Sequence, residues 1–248
     1  MLLTTPPETS YKLDPSRYES QTFKNLGGDL VSKREIAYVS AIMSRCGPSN
    51  ILEVGMGTGR ILRNISTSEN VVGLDLDREM VREFRRLRRN RPGVPAPVHL
   101  VVADAERLPF RRGCFGAVVC IRALKYVRRP GRAISEMCTV LQPKGRLVLE
   151  FSNILAPNGF LYLAQNISRK GPILKAFLPR TIAQYLRQSG MTVITMDGWH
   201  KLAPGLTTRL NNPSVLKIMT GLEGVLQRNT PAGFLSRSVL VHAVKTPS

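Results

Sequence analysis

Apolar residues fall into two kinds of stretch that alternate along the chain. One kind is short and nearly continuous. Ile51-Leu52-Glu53-Val54, Val71–Asp75, Val98–Val102, Phe115–Cys120 and Arg146–Ser152 read as strands buried on both faces, as in a parallel sheet. The other kind has helical spacing. Ile36, Val39, Ala41, Ile42 and Met43 give residues 33–46 one apolar face, stopped by Gly47-Pro48. Met80, Val81, Phe84 and Leu87 do the same for Arg78–Arg91, ended by Pro92-Gly93. Thr181–Ser189, capped by Gly190, is a further helix. Met191–Met196 reads as a sixth strand, and the alternating run Ser238–Val244 as a last, antiparallel one. This alternation predicts an α/β fold: a doubly wound, seven-stranded, mostly parallel sheet with an antiparallel last strand and helical insertions.

The first strand leads into Gly55-Met56-Gly57-Thr58-Gly59, followed by Ile61–Ile65, which reads as a helix start. A strand that feeds a glycine turn and then a helix aims backbone N–H groups at a ligand. An ordinary tight connection reads the same way, so the neighbouring segments decide. The glycines recur at every second position, unlike the G-x-G-x-x-G of dinucleotide sites, and Glu53 stands two residues ahead of the first. Asp75 ends the second strand roughly 20 residues on, where a ribose-binding carboxylate belongs. A carboxylate is acceptor-only and can take both vicinal hydroxyls. Asp104 stands at the tip of the third strand, in Ala103-Asp104-Ala105-Glu106-Arg107-Leu108-Pro109-Phe110.

The ExGxGxG pattern resembles motif I of the class I S-adenosylmethionine-dependent methyltransferases, of the small-molecule, type 11-like kind. The Asp104 segment is similar to that family's GDAExLPF, and Ala133–Leu147 to its ALxExxRVLKPGGRL. The resemblance covers residues 50–152, with segments in the expected order. It implies a Rossmann-like sheet and S-adenosyl-L-methionine as cofactor. It also implies Glu53, Gly55, Gly57, Gly59, Asp75, Leu76, Asp104, Ala105 and Cys120 as cofactor-binding residues. Among these, Asp104 would meet the adenine amino group and Cys120 would line the methionine end. Two positions depart from the family pattern. Gly116 replaces the acid of FDVV, a change expected to affect strand entry. Lys125-Tyr126 replaces the histidines of SxxxLHHV, so no histidine base carries over and the catalytic residue is unassigned.

Composition adds limits. A chain of 248 residues, 43% hydrophobic, suits one large domain. Its expected parts are residues 1–46 as tail and cover helix, 47–152 as cofactor core, and 153–180 and 199–237 as substrate or lid insertions. Residues 1–14 read as a mobile tail, and 15–32 as part of a lid or a plain cover. No apolar run is long enough to span a bilayer, and the N-terminus lacks a signal-peptide pattern. Cys46, Cys114, Cys120 and Cys138 form no CxxC pair, which suits reduced thiols and a cytoplasmic protein. No metal-ligand spacing occurs. The net charge of +19 draws anions such as RNA, DNA or an acidic membrane surface. The densest patch is the Arg82, Arg85, Arg86 and Arg89 face, whose alternative reading is a solvated helix surface.

Methyl transfer from a sulfonium is an in-line displacement and needs alignment more than acid–base chemistry. The NPPY and Pro-Cys signatures of amino and C5-pyrimidine methyltransferases are absent. Lys125, Tyr126, Tyr162, Tyr185, Trp199 and His200 are candidate acceptor-site residues, each with plain packing as its alternative. The expected function is methyl transfer to a small-molecule or lipid-like acceptor, drawn from the two apolar insertions. An RNA methyltransferase and a non-catalytic cofactor-binding protein are the alternatives.

Overall fold

The computed structural model describes residues 14–47, 50–65, 70–89, 98–156, 174–199, 211–215, 217–218, 221 and 236–247. The strands are β1 (Asn50–Val54), β2 (Asn70–Asp75), β3 (Val98–Val102), β4 (Phe115–Cys120), β5 (Leu141–Ser152), β6 (Met191–Trp199) and β7 (Ser238–Lys245). They form one seven-stranded sheet in the order β3-β2-β1-β4-β5-β7-β6. The first five pair in parallel, and β7 runs antiparallel between β5 and β6. The expected fold class is therefore the observed one. The chain winds outward from β1 to β3 and then crosses to β4. That reversal between β1 and β4 opens a crevice at the carboxyl ends of the strands.

The helices are α1 (Pro15–Phe23), α2 (Leu26–Cys46), α3 (Arg78–Arg89), α4 (Pro130–Val140) and α5 (Pro179–Gln188). On one face of the sheet, Val39, Ile42 and Met43 of α2 pack with Ile51, Ala117, Val119, Val148 and Leu240. On the other, Ile134 and Met137 of α4 and Ile182 and Leu186 of α5 pack with Leu52, Val118, Leu147, Leu149 and Phe151. Successive strand residues thus enter opposite cores, which is why the central strands are nearly continuously apolar, with buried Glu53 and Glu150 as the exceptions. Each fully buried aliphatic side chain contributes about 1.5–3 kcal/mol.

Several boundaries differ from the sequence reading. Helix α2 begins at Leu26 rather than at residue 33, and α1 precedes it. Asn25 caps α2 by accepting the Gly28 N–H at 2.8 Å. Gly28 does not break the helix; it allows α1 and α2 to meet, since a Cβ there would lie 2.7 Å from the Thr22 carbonyl oxygen. Asp14, expected in a mobile tail, caps α1 through the Ser16 N–H at 3.0 Å, while residues 1–13 lie outside the described residues. A single 3-10 turn, Leu62–Asn64, stands where a longer helix was expected, and residues 66–69 are again outside. Strand β5 starts at Leu141 rather than Arg146, because Leu141 pairs with Phe115 before an irregularity in register. That irregularity falls at Gly116, consistent with an effect on strand entry. Most of both insertions, with Tyr162 and His200, lies outside the described residues.

Candidate functional site

The glycine turn after β1 has a left-handed backbone at all three glycines: φ is 71° at Gly55, 54° at Gly57 and 74° at Gly59. Strand β2 holds the turn in place. Gly55 and Met56 donate their N–H groups to the Leu74 carbonyl at 2.8 and 3.0 Å, and Gly57 donates to Asp75 Oδ2 at 2.7 Å. The other Asp75 oxygen accepts the Asp77 N–H at 2.9 Å. Burial pushes the Asp75 carboxyl pKa up, against the backbone donors that pull it down. Glu53 is 2% exposed and accepts the Leu62 N–H at 3.1 Å. Burial raises its pKa to about 8. Asp104, just past β3, is exposed; its Oδ1 accepts the Glu106 N–H at 2.9 Å. Leu76 and Ala105 flank these carboxylates, both half-buried. Cys120, ending β4, is fully buried, and burial drives its thiol pKa up, which disfavours the thiolate.

All nine residues expected at the cofactor thus lie at the carboxyl edge of the adjacent strands β3, β2, β1 and β4. A Cβ on Gly57 would meet nothing closer than Tyr18 Cε1 at 4.0 Å, so the middle of the turn faces open space. An acceptor-only carboxylate beside open, glycine-lined backbone fits a cofactor with vicinal hydroxyls.

Helix α1 covers this turn, and with it comes a group of residues the sequence reading did not assign. Glu19 accepts the Thr58 hydroxyl at 2.6 Å and pairs with Arg63. The Phe23 ring has the Arg60 guanidinium 4.4 Å from its centroid and that of Arg122 at 5.1 Å. Glu35 of α2, 3% exposed, binds both: Arg60 Nη2 at 2.5 Å and Arg122 Nε at 2.9 Å. The Arg122 N–H donates to Glu150 Oε2 at 2.9 Å. Buried charges require such pairing. Tyr18, within the 15–32 segment expected as a lid or cover, sits among them; burial raises its phenol pKa, and Arg122 and Arg60 oppose that.

The other expected acceptor residues are dispersed. Lys125 and Tyr126 form a 3-10 turn beyond β4, and the Lys125 carbonyl accepts the Lys175 N–H at 2.9 Å. Tyr185 packs on Gly131, where a Cβ would be 3.1 Å from its ring. Trp199 ends β6. On α3, Arg82, Arg85, Arg86 and Arg89 are exposed as expected. Arg82 bonds Glu79 at 2.5 Å, and Arg86 bonds Glu83 at 2.7 and 2.6 Å. Among the described residues, no group of His, Cys, Asp and Glu could hold a metal ion, and no helix is long and apolar enough to cross a membrane.

A family profile described as "Methyltransferase domain" matches residues 52–149. The chain is 34% identical over 201 residues to the malonyl-[acyl-carrier protein] O-methyltransferase of Methylococcus capsulatus, covering 78% of this chain and 69% of that one. It is 31% identical over 115 residues to the ubiquinone/menaquinone biosynthesis C-methyltransferase UbiE of Wigglesworthia glossinidia brevipalpis, covering 43% of this chain and 46% of that one. The fold matches magnesium protoporphyrin IX methyltransferase of Synechocystis PCC 6803 with bound S-adenosylhomocysteine, at a TM-score of 0.63, 14% identity and 94% coverage of both chains. Identity of 34% over two thirds of that O-methyltransferase, together with the profile match, places this chain in the S-adenosylmethionine-dependent methyltransferase family.

Proposed function

We propose that the chain methylates a small or lipid-like acceptor brought to the carboxyl edge of the sheet, with the cofactor held by the nine residues gathered there. Asp75 takes the ribose hydroxyls and Asp104 the adenine amino group, with Leu76 and Ala105 against the purine. Gly55, Gly57, Gly59 and Cys120 line the methionine end. Glu53, whose carboxyl faces Leu62, acts on the cofactor by holding the turn. Bound S-adenosylmethionine supplies an already activated methyl group, so the residues around it have to orient the acceptor and exclude water. Helix α1 lies over the turn and serves the second task.

The observation that carries this reading is the open backbone at Gly57 beside Asp75, with Asp104 at the next strand end. The relatives support the acceptor class: one is named a malonyl-[acyl-carrier protein] O-methyltransferase, the other a ubiquinone/menaquinone biosynthesis C-methyltransferase. The same proposal assigns one domain with its cofactor core at 47–152. Titration calorimetry tests the reading. Wild type should bind S-adenosylmethionine and its demethylated product and not NAD. Asp75→Ala should lose about 1.5–3 kcal/mol, the worth of hydrogen bonds to a charged group. Absence of cofactor binding by wild type overturns it.

A further inference from the structure

Arg122 differs from the other residues of this edge in two respects. Its backbone is left-handed, with φ 60°, although it is not glycine. Such a residue persists only where its surroundings fix it, and it is a feature of ligand sites. The fixing groups are carboxylates at both ends of the residue: Glu150 on its N–H and Glu35 on its Nε, each at 2.9 Å. The guanidinium is therefore rigid, and the side chain is only 19% exposed.

The second respect is hydrogen bonding. Arg60 shares Glu35 and the Phe23 ring with Arg122, and it places both its Nη atoms on oxygen, at Ser32 and Glu35. Arg122 uses only Nε; neither of its Nη atoms bonds a described residue. Desolvated donors left without acceptors are costly and rare. The Tyr18 hydroxyl, on the covering helix, also bonds no described residue and lies near enough for the Arg122 charge to act on it. The next residue, Ala123, touches Gly55 so closely that a Cβ there would sit 2.3 Å from its own. Arg122 thus adjoins the glycine turn through its neighbour Ala123, with its guanidinium beneath the Phe23 ring of the covering helix.

We propose that Arg122 is a specificity-determining residue that recognises a carboxylate on the methyl acceptor, its two Nη atoms binding the two oxygens side by side. A planar guanidinium offers parallel N–H donors at the spacing of a carboxylate, a match that lysine cannot reproduce. The proposal deepens the reading above and rests on its placement of the acceptor next to the glycine turn.

Malonate is the probe, titrated into the apo protein and into the S-adenosylhomocysteine complex of wild type, Arg122→Asn and Arg122→Lys. Asparagine tolerates a left-handed backbone, so Arg122→Asn removes the fork without adding strain. The loaded wild type should bind malonate and ignore neutral dimethyl malonate. Both variants should bind malonate at least tenfold more weakly, with S-adenosylhomocysteine affinity little changed; Arg122→Asn should melt lower, since buried Glu35 loses a partner, and Arg122→Lys, which keeps a cation there, less so. Equal malonate affinity in wild type and Arg122→Asn overturns the proposal, as does no malonate binding by a wild type that binds S-adenosylhomocysteine. Inorganic phosphate binding as tightly as malonate overturns the carboxylate assignment. A wild type that fails to bind S-adenosylhomocysteine would instead sink the cofactor reading, and malonate titration of the apo protein would still decide the role of Arg122.

Discussion

The Phe84 ring lies against the Cα of Gly59: a Cβ on that glycine would be 2.1 Å from Phe84 Cδ2. Phe84 is fully buried between α3 and the sheet and cannot swing away. Gly59 also has φ 74°. Gly59→Ala therefore combines left-handed strain, about 1–2 kcal/mol, with overpacking of about 1–3 kcal/mol. A stability loss of roughly 2–5 kcal/mol in denaturant unfolding is the expected result. A loss below 1 kcal/mol would mean that the ring can move aside.

Gly57 should behave differently, although it belongs to the same turn. It has φ 54°, and a Cβ there would meet only Tyr18 at 4.0 Å. Gly57→Ala should cost only the strain, about 1–2 kcal/mol. Its methyl would project toward the proposed cofactor, and the bulkier Gly57→Val should abolish cofactor binding. Calorimetry and unfolding of the Gly57 and Gly59 variants separate the two glycines: a side chain at Gly59 meets Phe84, and one at Gly57 meets open space. Full cofactor affinity in Gly57→Val would move the cofactor off this turn.

The division between what the sequence reveals and what it hides follows from where the partners lie. Strands β1, β2 and β4 are legible because both faces are buried, leaving nearly continuous apolar runs, broken in β1 by the buried Glu53. The cofactor edge is legible because its residues sit at fixed distances within one continuous segment. The Arg122 group is not, because each contact joins distant positions: Arg122 to Glu35 spans 87 residues and Arg122 to Glu150 spans 28. The available signal was a carboxylate where the pattern calls for an apolar residue. Glu150 interrupts Leu147–Phe151, and Glu35 sits beside Ile36 on a packed helix. Helix α1 and the first turns of α2 were hidden for another reason. Gly27-Gly28 reads as a break, and only the approach of the two helices explains a glycine inside one.

Glu53 makes stability depend on pH. Its carboxyl pKa stands at about 8 in the folded protein, from burial, against an ordinary value of 4.5. Between those values the folded state binds more protons than the unfolded chain, so stability falls as pH rises through this window. The contribution is complete below about pH 4.5 and lost above about pH 8. Glu53→Gln keeps an oxygen for the Leu62 N–H and cannot ionise. Its melting temperature should exceed that of wild type at pH 8.5, with the gap closing toward pH 4.5. A constant gap across this range would show that Glu53 ionises freely in the fold.

The last expectation concerns the arginines of α3. The sequence suggested four equivalent cations facing outward, yet the structure divides them. Arg82 is bonded to Glu79, and Arg86 is held by both oxygens of Glu83, lowering that carboxyl's pKa. Arg85 and Arg89 are exposed and form no ion pair with a described residue. An anion approaching the helix would meet the second pair at full charge and the first pair already neutralised. Each phosphate contact contributes about 0.7 to the slope of log affinity against log salt for a single strand. Arg85→Gln with Arg89→Gln should therefore lower the slope for single-stranded RNA by about 1.4, if both touch phosphate. Arg82→Gln with Arg86→Gln should change it much less, since each removes a cation that a carboxylate already engages. Fluorescence anisotropy between 50 and 200 mM salt reads both slopes. Equal effects of the two pairs would show that the ion pairs open on binding. A wild type whose RNA binding is undetectable across that range would make the whole face a solvated surface, leaving RNA methylation without its strongest support.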